Sequence, residues 1–317
     1  MNGIRAHALL GLVAFCAGCS YSRSPLTPGL MGSVGSPAHG TLSASTELPT
    51  SGTGFRWYNP MGHHYGVPRL VKAVEQAAAE VARERPGGVP LFVGDLSKRL
   101  GGQIPGHRSH RTGRDVDLLF YVETPSGEPV KSPGFVKFGS DGLAFIQGER
   151  GGGYYVRLDV PREWALIRTL LLLPEANVQW LFISAPLEAI ITEYARARGE
   201  DSELIWRAES VMLQPADSLP HDDHLHLRTA CTPDEAVVGC EGGGPYWPWL
   251  SPLPKTAPEE TDDALALALL SPMAPRTGRP APLVKLPPSD EAQRGLMSHD
   301  IDDSPSRGPS SAELRGD

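Results

Sequence analysis

The stretch GHRSHRTGRDVDLLFYV, Gly106 to Val122, passes from a polar loop into an apolar run. Read as a strand from Asp115 to Val122, it places Asp115 and Asp117 on one face and Val116 on the other, because side chains two apart share a face. His110 sits in the loop just before, and Gly113 lets the chain turn between them. A second stretch, HDDHLHL, His221 to Leu227, alternates polar and apolar residues as a half-buried strand does. His224 and His226 then project together while Leu225 and Leu227 turn inward. Two imidazoles on one face, backed by two leucines, suit a metal ligand with a neighbouring acid–base group better than they suit packing.

Outward from these two stretches, the chain alternates structure signals without regular βαβ spacing. Pro68 opens a helix carrying Leu70, Val71, Val74, Ala77, Ala78, Val81 and Ala82 at the helical period. Leu91 to Val93 reads as a short strand. Pro161 opens a helix with Trp164, Ile167, Leu170 and Leu171 on its apolar face, Val178 to Ile183 reads as a central strand, and a third helix starts near Pro186 with Leu187, Ile190, Ile191 and Tyr194 on one side. The expected class is α+β: a single domain over residues 54–252, with a central antiparallel sheet and flanking helices. Ser20 to Gly54 is rich in Ser, Gly, Pro and Thr, which predicts a flexible linker over residues 19–53. Residues 253–317 read as a disordered Pro-rich acidic tail. From Ser251 onward there are seven Lys/Arg against eleven Asp/Glu, so half of the net charge of −8 belongs to the tail. This charge balance argues against a nucleic-acid partner, which would call for a basic stripe.

Residues 1–18 carry one early cation, Arg5, then the apolar run Ala8 to Ala17, too short to span a bilayer and suited to a secretory signal. Ala17-Gly18-Cys19 resembles the lipobox of bacterial lipoproteins, with Cys16 where that pattern prefers Leu. The resemblance implies that Cys19 is acylated and anchors the protein to a membrane; Ser20 at the next position implies sorting to the outer membrane of a Gram-negative cell, facing the periplasm. Cys231 and Cys240 remain. In an oxidising compartment they either form a disulfide or stay as buried thiols.

An exported chain offering His, Asp and His from separate segments fits a catalytic zinc site, with three protein ligands and a fourth position for water. No cysteine cluster suggests a structural zinc knot. Calcium calls for more oxygen ligands, and magnesium does not select imidazole.

His110, six intervening residues and Asp117, with His224-Leu225-His226 over a hundred residues later, resemble the zinc signature of the LAS-type peptidases. Gly101-Gly102, Gly106-His107, Ser109-His110, Thr112-Gly113, Asp115-Val116-Asp117 and His224-x-His226-x-Arg228, followed by Cys231, resemble the penicillin-insensitive murein endopeptidases over roughly Tyr58 to Cys240. The resemblance implies a zinc cofactor held by His110, Asp117 and His226. It implies His224 as the catalytic histidine, and His221 as a second one that steadies the oxyanion or shares the proton. His107 is implied near the metal or at a second ion, and a further ligand from the unmatched segment Tyr121 to Glu163 would be Asp159; Asp115 is read as orienting a ligand or capping a turn, with a second metal as the alternative. The implied reaction is hydrolysis of the D-alanyl–meso-diaminopimelyl cross-link of bacterial peptidoglycan, the expected partner. Two alternatives stand beside it: a D,D- or L,D-carboxypeptidase on uncrosslinked stems, and a catalytically silent, zinc-stabilised wall-binding module. A homodimer is among the expected assemblies. His63 and His64 are read as structural or surface residues, Arg108 and Arg228 as surface ion pairs, and the tryptophans from Pro245 to Leu250 as a seal on the core edge.

Overall fold

The computed structural model describes residues 32–148, 151–250 and 252–253. The signal at 1–18, the acylation site Cys19 and the tail beyond Leu253 lie outside the described residues.

The described residues open with six short strands: β1 (Ser33–Ser36), β2 (His39–Leu42), β3 (Thr46–Glu47), β4 (Ser51–Gly52), β5 (Phe55–Trp57) and β6 (Tyr65–Gly66). Helix α1 (Pro68–Glu84) follows, then β7 (Leu91–Val93), β8 (Asp115–Leu119), β9 (Val122–Glu123), β10 (Pro129–Val130), β11 (Leu143–Gln147) and β12 (Gly153–Leu158). The second half comprises α2 (Val160–Leu172), β13 (Val178–Phe182), α3 (Ala185–Ala197), α4 (Ser202–Val211), β14 (Met212–Leu213), β15 (His224–Thr229) and α5 (Pro233–Val237).

The class is α+β, as expected. Seven strands form the main sheet in the order β14-β13-β15-β8-β7-β5-β4. Its centre is antiparallel, from β13 through β15 and β8 to β7, while β13–β14 and β5–β7 pair in parallel. A separate four-stranded sheet, β10-β9-β12-β11, stands beside it. The anticipated single strand from Asp115 to Val122 is therefore two: β8 ends at Leu119, and β9 joins the second sheet.

Alternation along the central strands builds two different faces. Leu181, Leu225, Leu227, Val116, Leu118 and Val93 join one core cluster with Leu70 and Val74 of α1 and Leu166, Ile167 and Leu170 of α2. Each fully buried leucine or isoleucine contributes about 1.5–3 kcal/mol over an exposed one, so this face holds the sheet under the helices. The other face carries Trp180, Phe182, His226, Arg228, Asp115 and Asp117 in register, Phe182 opposite His226 opposite Asp117. Proline begins α1, and Asp159 and Asp201 cap α2 and α4 by accepting from the backbone N–H of Arg162 and Leu204.

The expected linker over 19–53 does not hold for residues 32–53. β1 and β2 form a hairpin, the Leu42 N–H donates to the Leu100 carbonyl, the Gly35 N–H to Gly239, and Leu42 and Leu48 are buried. Strands of two to four residues are too short to show periodicity; pairing with distant loops holds them. The domain thus begins no later than residue 32. Cys231 and Cys240 form a disulfide. No helix among the described residues is long and apolar enough to cross a membrane.

Candidate metal centre

Asp117 lies at the middle of the polar face, on β8, directly opposite His226 on β15. The loop before β8 turns twice to bring His110 in. Gly113 has φ +72°, where a Cβ would meet the Leu42 side chain at 2.5 Å. His110 itself has φ +65°, a left-handed conformation that costs a non-glycine residue about 1–2 kcal/mol. The fold holds His110 in this conformation, and its ring then meets the carboxylate.

Three ring nitrogens surround one oxygen. Asp117 Oδ1 lies 3.3 Å from His110 Nε2, 3.2 Å from His226 Nδ1 and 3.3 Å from His224 Nε2. His107 Nδ1 is 3.8 Å from Asp117 Oδ2. Asp117 Oδ1 and His110 Nε2 are both buried with no hydrogen-bond partner. A buried polar atom normally has one, so this cluster is built around something other than its own hydrogen bonds. His107, His110 and Asp117 form one group able to hold an ion, and His221, His224 and His226 form another.

The opposite ring nitrogens explain the orientation. His110 Nδ1 lies 2.6 Å from the Leu96 carbonyl, which can only accept, so Nδ1 carries the proton and Nε2 presents its lone pair inward. His226 Nε2 is 2.9 Å from Asp115 Oδ1, His224 Nδ1 is 2.6 Å from Asp223 Oδ1, and His107 Nε2 is 3.1 Å from Asp95 Oδ2. Every imidazole facing Asp117 has an acceptor behind it, the arrangement that fixes tautomers at metal sites. The donor set, imidazole nitrogen with a carboxylate oxygen, fits zinc and related transition ions.

Electrostatics follow from this crowding. Burial opposes the charge on Asp117, yet the surrounding histidines hold its carboxyl well below the usual range. Burial would lower His224, but Asp117 and Asp223 prevail and push it up to about 10. His221 goes the other way, down to about 4, through burial and then the neighbouring His226 and His224. Its ring stands 5.2 Å from that of His224, and its backbone N–H donates to Gln214 Oε1.

All the residues expected at the site converge: His110, Asp117, His224 and His226 at its centre, His107, His221 and Asp115 around them. Asp159 does not join; its carboxylate caps α2 and pairs with Arg162 at 2.5 Å. Arg228 is not a surface residue. Its Nε donates to Asp115 Oδ1 at 2.6 Å, and its guanidinium lies over Phe182. Arg108 is exposed and pairs with Asp217, as read from the sequence. His64 is buried and stacks on Trp57 at 3.6 Å, and the His63 N–H donates to Asp95 Oδ1. Trp247 and Trp249 pack on the core, Trp247 donating to the Gln179 carbonyl. Sequence reasoning missed Asp95, the acceptor behind His107, because nothing in its local surroundings sets it apart. It also missed Phe135, which stands edge-on to His224 at 5.3 Å.

A family model described as penicillin-insensitive murein endopeptidase matches residues 33–133, which include His107, His110 and Asp117. A penicillin-insensitive murein endopeptidase of Pectobacterium atrosepticum is 24% identical over 243 residues, covering 72% of this chain and 79% of that one. Those of Klebsiella pneumoniae and Escherichia coli are each 30% identical, over 92 and 125 residues, covering 28% and 37% of this chain. The Klebsiella pneumoniae and Escherichia coli proteins are matched over 33% and 44% of their own length, so this chain spans less than half of each. By the family match, the long alignment and the shared description, this chain is similar to the penicillin-insensitive murein endopeptidases.

Proposed function

We propose that this protein is a zinc-dependent endopeptidase that hydrolyses peptide cross-links, of the D-alanyl–meso-diaminopimelyl type, in bacterial peptidoglycan. One observation carries the reading: four imidazoles, each held from behind by an acceptor, turn their inner nitrogens toward a buried carboxylate whose oxygen has no other partner. Similarity to murein endopeptidases supports peptidoglycan as the substrate class.

His110 through Nε2, Asp117 through Oδ1 and His226 through Nδ1 would hold the ion. Zinc in such a site supplies Lewis acidity, acidifying water and polarising a scissile carbonyl. The chain supplies the rest. His224 takes a proton at Nε2 and delivers it to the departing amine, while Asp223 at 2.6 Å keeps the ring aligned and steadies its charged form. His221, held near its neutral form by burial and by the neighbouring His226 and His224, donates toward the developing oxyanion. Asp115 and the Leu96 carbonyl keep His226 and His110 aimed inward. His107 and Asp95 lie at the more open side, both about a quarter exposed, and form the rim where substrate or a second ion enters.

The same reading places the protein in the periplasm, tethered to the outer membrane through acylated Cys19. The test is digestion of purified sacculi by zinc-loaded protein, with separation of the released fragments and metal analysis. Loss of cross-linked dimers is expected, and His224→Ala should abolish it while zinc content persists. Free D-alanine released without dimer loss would favour a carboxypeptidase. Bound zinc and wall binding without any cleavage would reduce the protein to a binding module.

A further inference from the structure

Phe135 is a large apolar residue left 43% exposed directly beside the histidine cluster. Its ring meets His224 edge-on at 5.3 Å and Tyr58 edge-on at 5.6 Å. A Cβ added at Gly94 would come within 3.2 Å of both Phe135 Cζ and Asp117 Cβ, so the ring packs close to Asp117 across a position that has no side chain. The segment is held firmly. Gly134, at φ +112°, lets the chain turn under the Tyr58 hydroxyl, where a Cβ would clash at 2.3 Å. Two residues beyond Phe135's neighbour Val136, the Phe138 N–H donates to the carbonyl of Asp222, on the loop that carries His221 and leads into His224 at the start of β15. Tyr58 is itself 38% exposed. Together the two rings make an apolar wall that continues outward from His224.

We propose that Phe135, backed by Tyr58, is the wall against which the aliphatic chain of the amine-side residue of the substrate lies. The proposal rests on the hydrolytic reading above. His224, which delivers the proton to the departing nitrogen, must stand on the leaving-group side of the scissile bond. The surface continuing past it therefore meets whatever carries that nitrogen. A diamino acid presents several methylenes there, and these are what an aromatic face accommodates; a short residue would leave the ring in water.

The experiment measures steady-state cleavage of a purified cross-linked dimer by the zinc-loaded full chain and by Phe135→Ala and Phe135→Leu. Its companion is competitive inhibition by meso-diaminopimelate, an amine-side analogue, and by N-acetyl-D-alanine, an acyl-side analogue. Losing contact with about two methylenes should raise KM for the dimer and the inhibition constant of meso-diaminopimelate roughly tenfold in Phe135→Ala. The kcat and inhibition by N-acetyl-D-alanine should stay within about twofold, and Phe135→Leu should recover most of the loss, on the same accounting of buried area. Unchanged KM in Phe135→Ala, or equal weakening of both inhibitors, overturns the proposal while leaving the hydrolytic reading intact. A lower kcat at constant KM also overturns it, because Phe135 would then act by positioning His224. Absence of dimer cleavage by the wild-type protein sinks the hydrolytic reading and this proposal with it.

Discussion

Replacing Asp115 by asparagine tests whether the metal centre and the fold share one buried charge. The Asp115 carboxylate is fully buried and, through a single oxygen, faces His226 Nε2 at 2.9 Å and Arg228 Nε at 2.6 Å. Burial alone would raise its pKa, but Arg228 and then His226 hold it far below the ordinary carboxylate range. The asparagine variant keeps the shape and loses the charge. Arg228, whose side chain is only 13% exposed, is left without a counter-charge. Breaking a buried pair in this way costs about 3–5 kcal/mol. The His226 ring also loses the anion that fixes its tautomer, which typically weakens metal binding by about 10–100-fold.

Urea unfolding at pH 7 in the presence of chelator isolates the first effect, and zinc titration of the refolded variant reads the second. A double-mutant cycle separates charge pairing from shape. Asp115→Asn and Arg228→Met should each destabilise by several kcal/mol, and the double variant by much less than their sum, because it removes both charges together. Strict additivity would falsify the pairing argument. Zinc affinity in Asp115→Asn equal to that of the wild type would show that His226 needs no anion behind it.

Three other variants have defined outcomes. Glu163 is buried in α2, and desolvation, eased by the Tyr121 N–H it accepts, pushes its pKa up from 4.5 to about 8. Between those values the native state holds a proton that the unfolded chain releases, so stability is greatest below pH 4.5 and falls as pH rises toward 8, by on the order of 5 kcal/mol at about 1.4 kcal/mol per pH unit. Glu163→Gln should therefore be more stable than wild type at pH 8.5 and lose that advantage by pH 5, as read by urea midpoints; a pH-independent difference contradicts the assignment. Cys231→Ala with Cys240→Ala opens a loop with a sequence separation of 9 and should cost about 3 kcal/mol. Zinc content should be retained, because Glu241, Gly239 and Tyr246 keep their own bonds to Arg114, Gly35 and Cys231. Gly113→Ala places a Cβ at 2.5 Å from Leu42 in a left-handed conformation, and it should lower both thermal stability and zinc affinity by displacing the His110 loop; a variant with wild-type melting temperature and zinc binding counts against that role.

The parts of this protein that were legible in its sequence are those where one alternation serves two purposes. Along β8 and β15 the apolar residues Val116, Leu118, Leu225 and Leu227 enter the core, and the same period of two places Asp115, Asp117, His224 and His226 together on the other face. A slip of one residue in the β8–β15 register would bury the carboxylates among the helices and expose the leucines, so the core selects the register that assembles the site. That coupling is why ligand candidates could be named before the fold was known. Where no such coupling exists, the sequence was silent. The hairpin of β1 and β2 is fixed by distant partners, Leu100 and Gly239, rather than by its own pattern. Asp95 and Phe135 reach the site from irregular segments whose course is set by Gly94, Gly134 and hydrogen bonds to other loops. The part of the centre that stands on two paired strands, Asp117, His224 and His226, is consequently the readable part, whereas the rim is built from loops. On the proposed reading, changes at Phe135 and Gly134 would alter which peptide is received without displacing Asp117 or His226 from their strands.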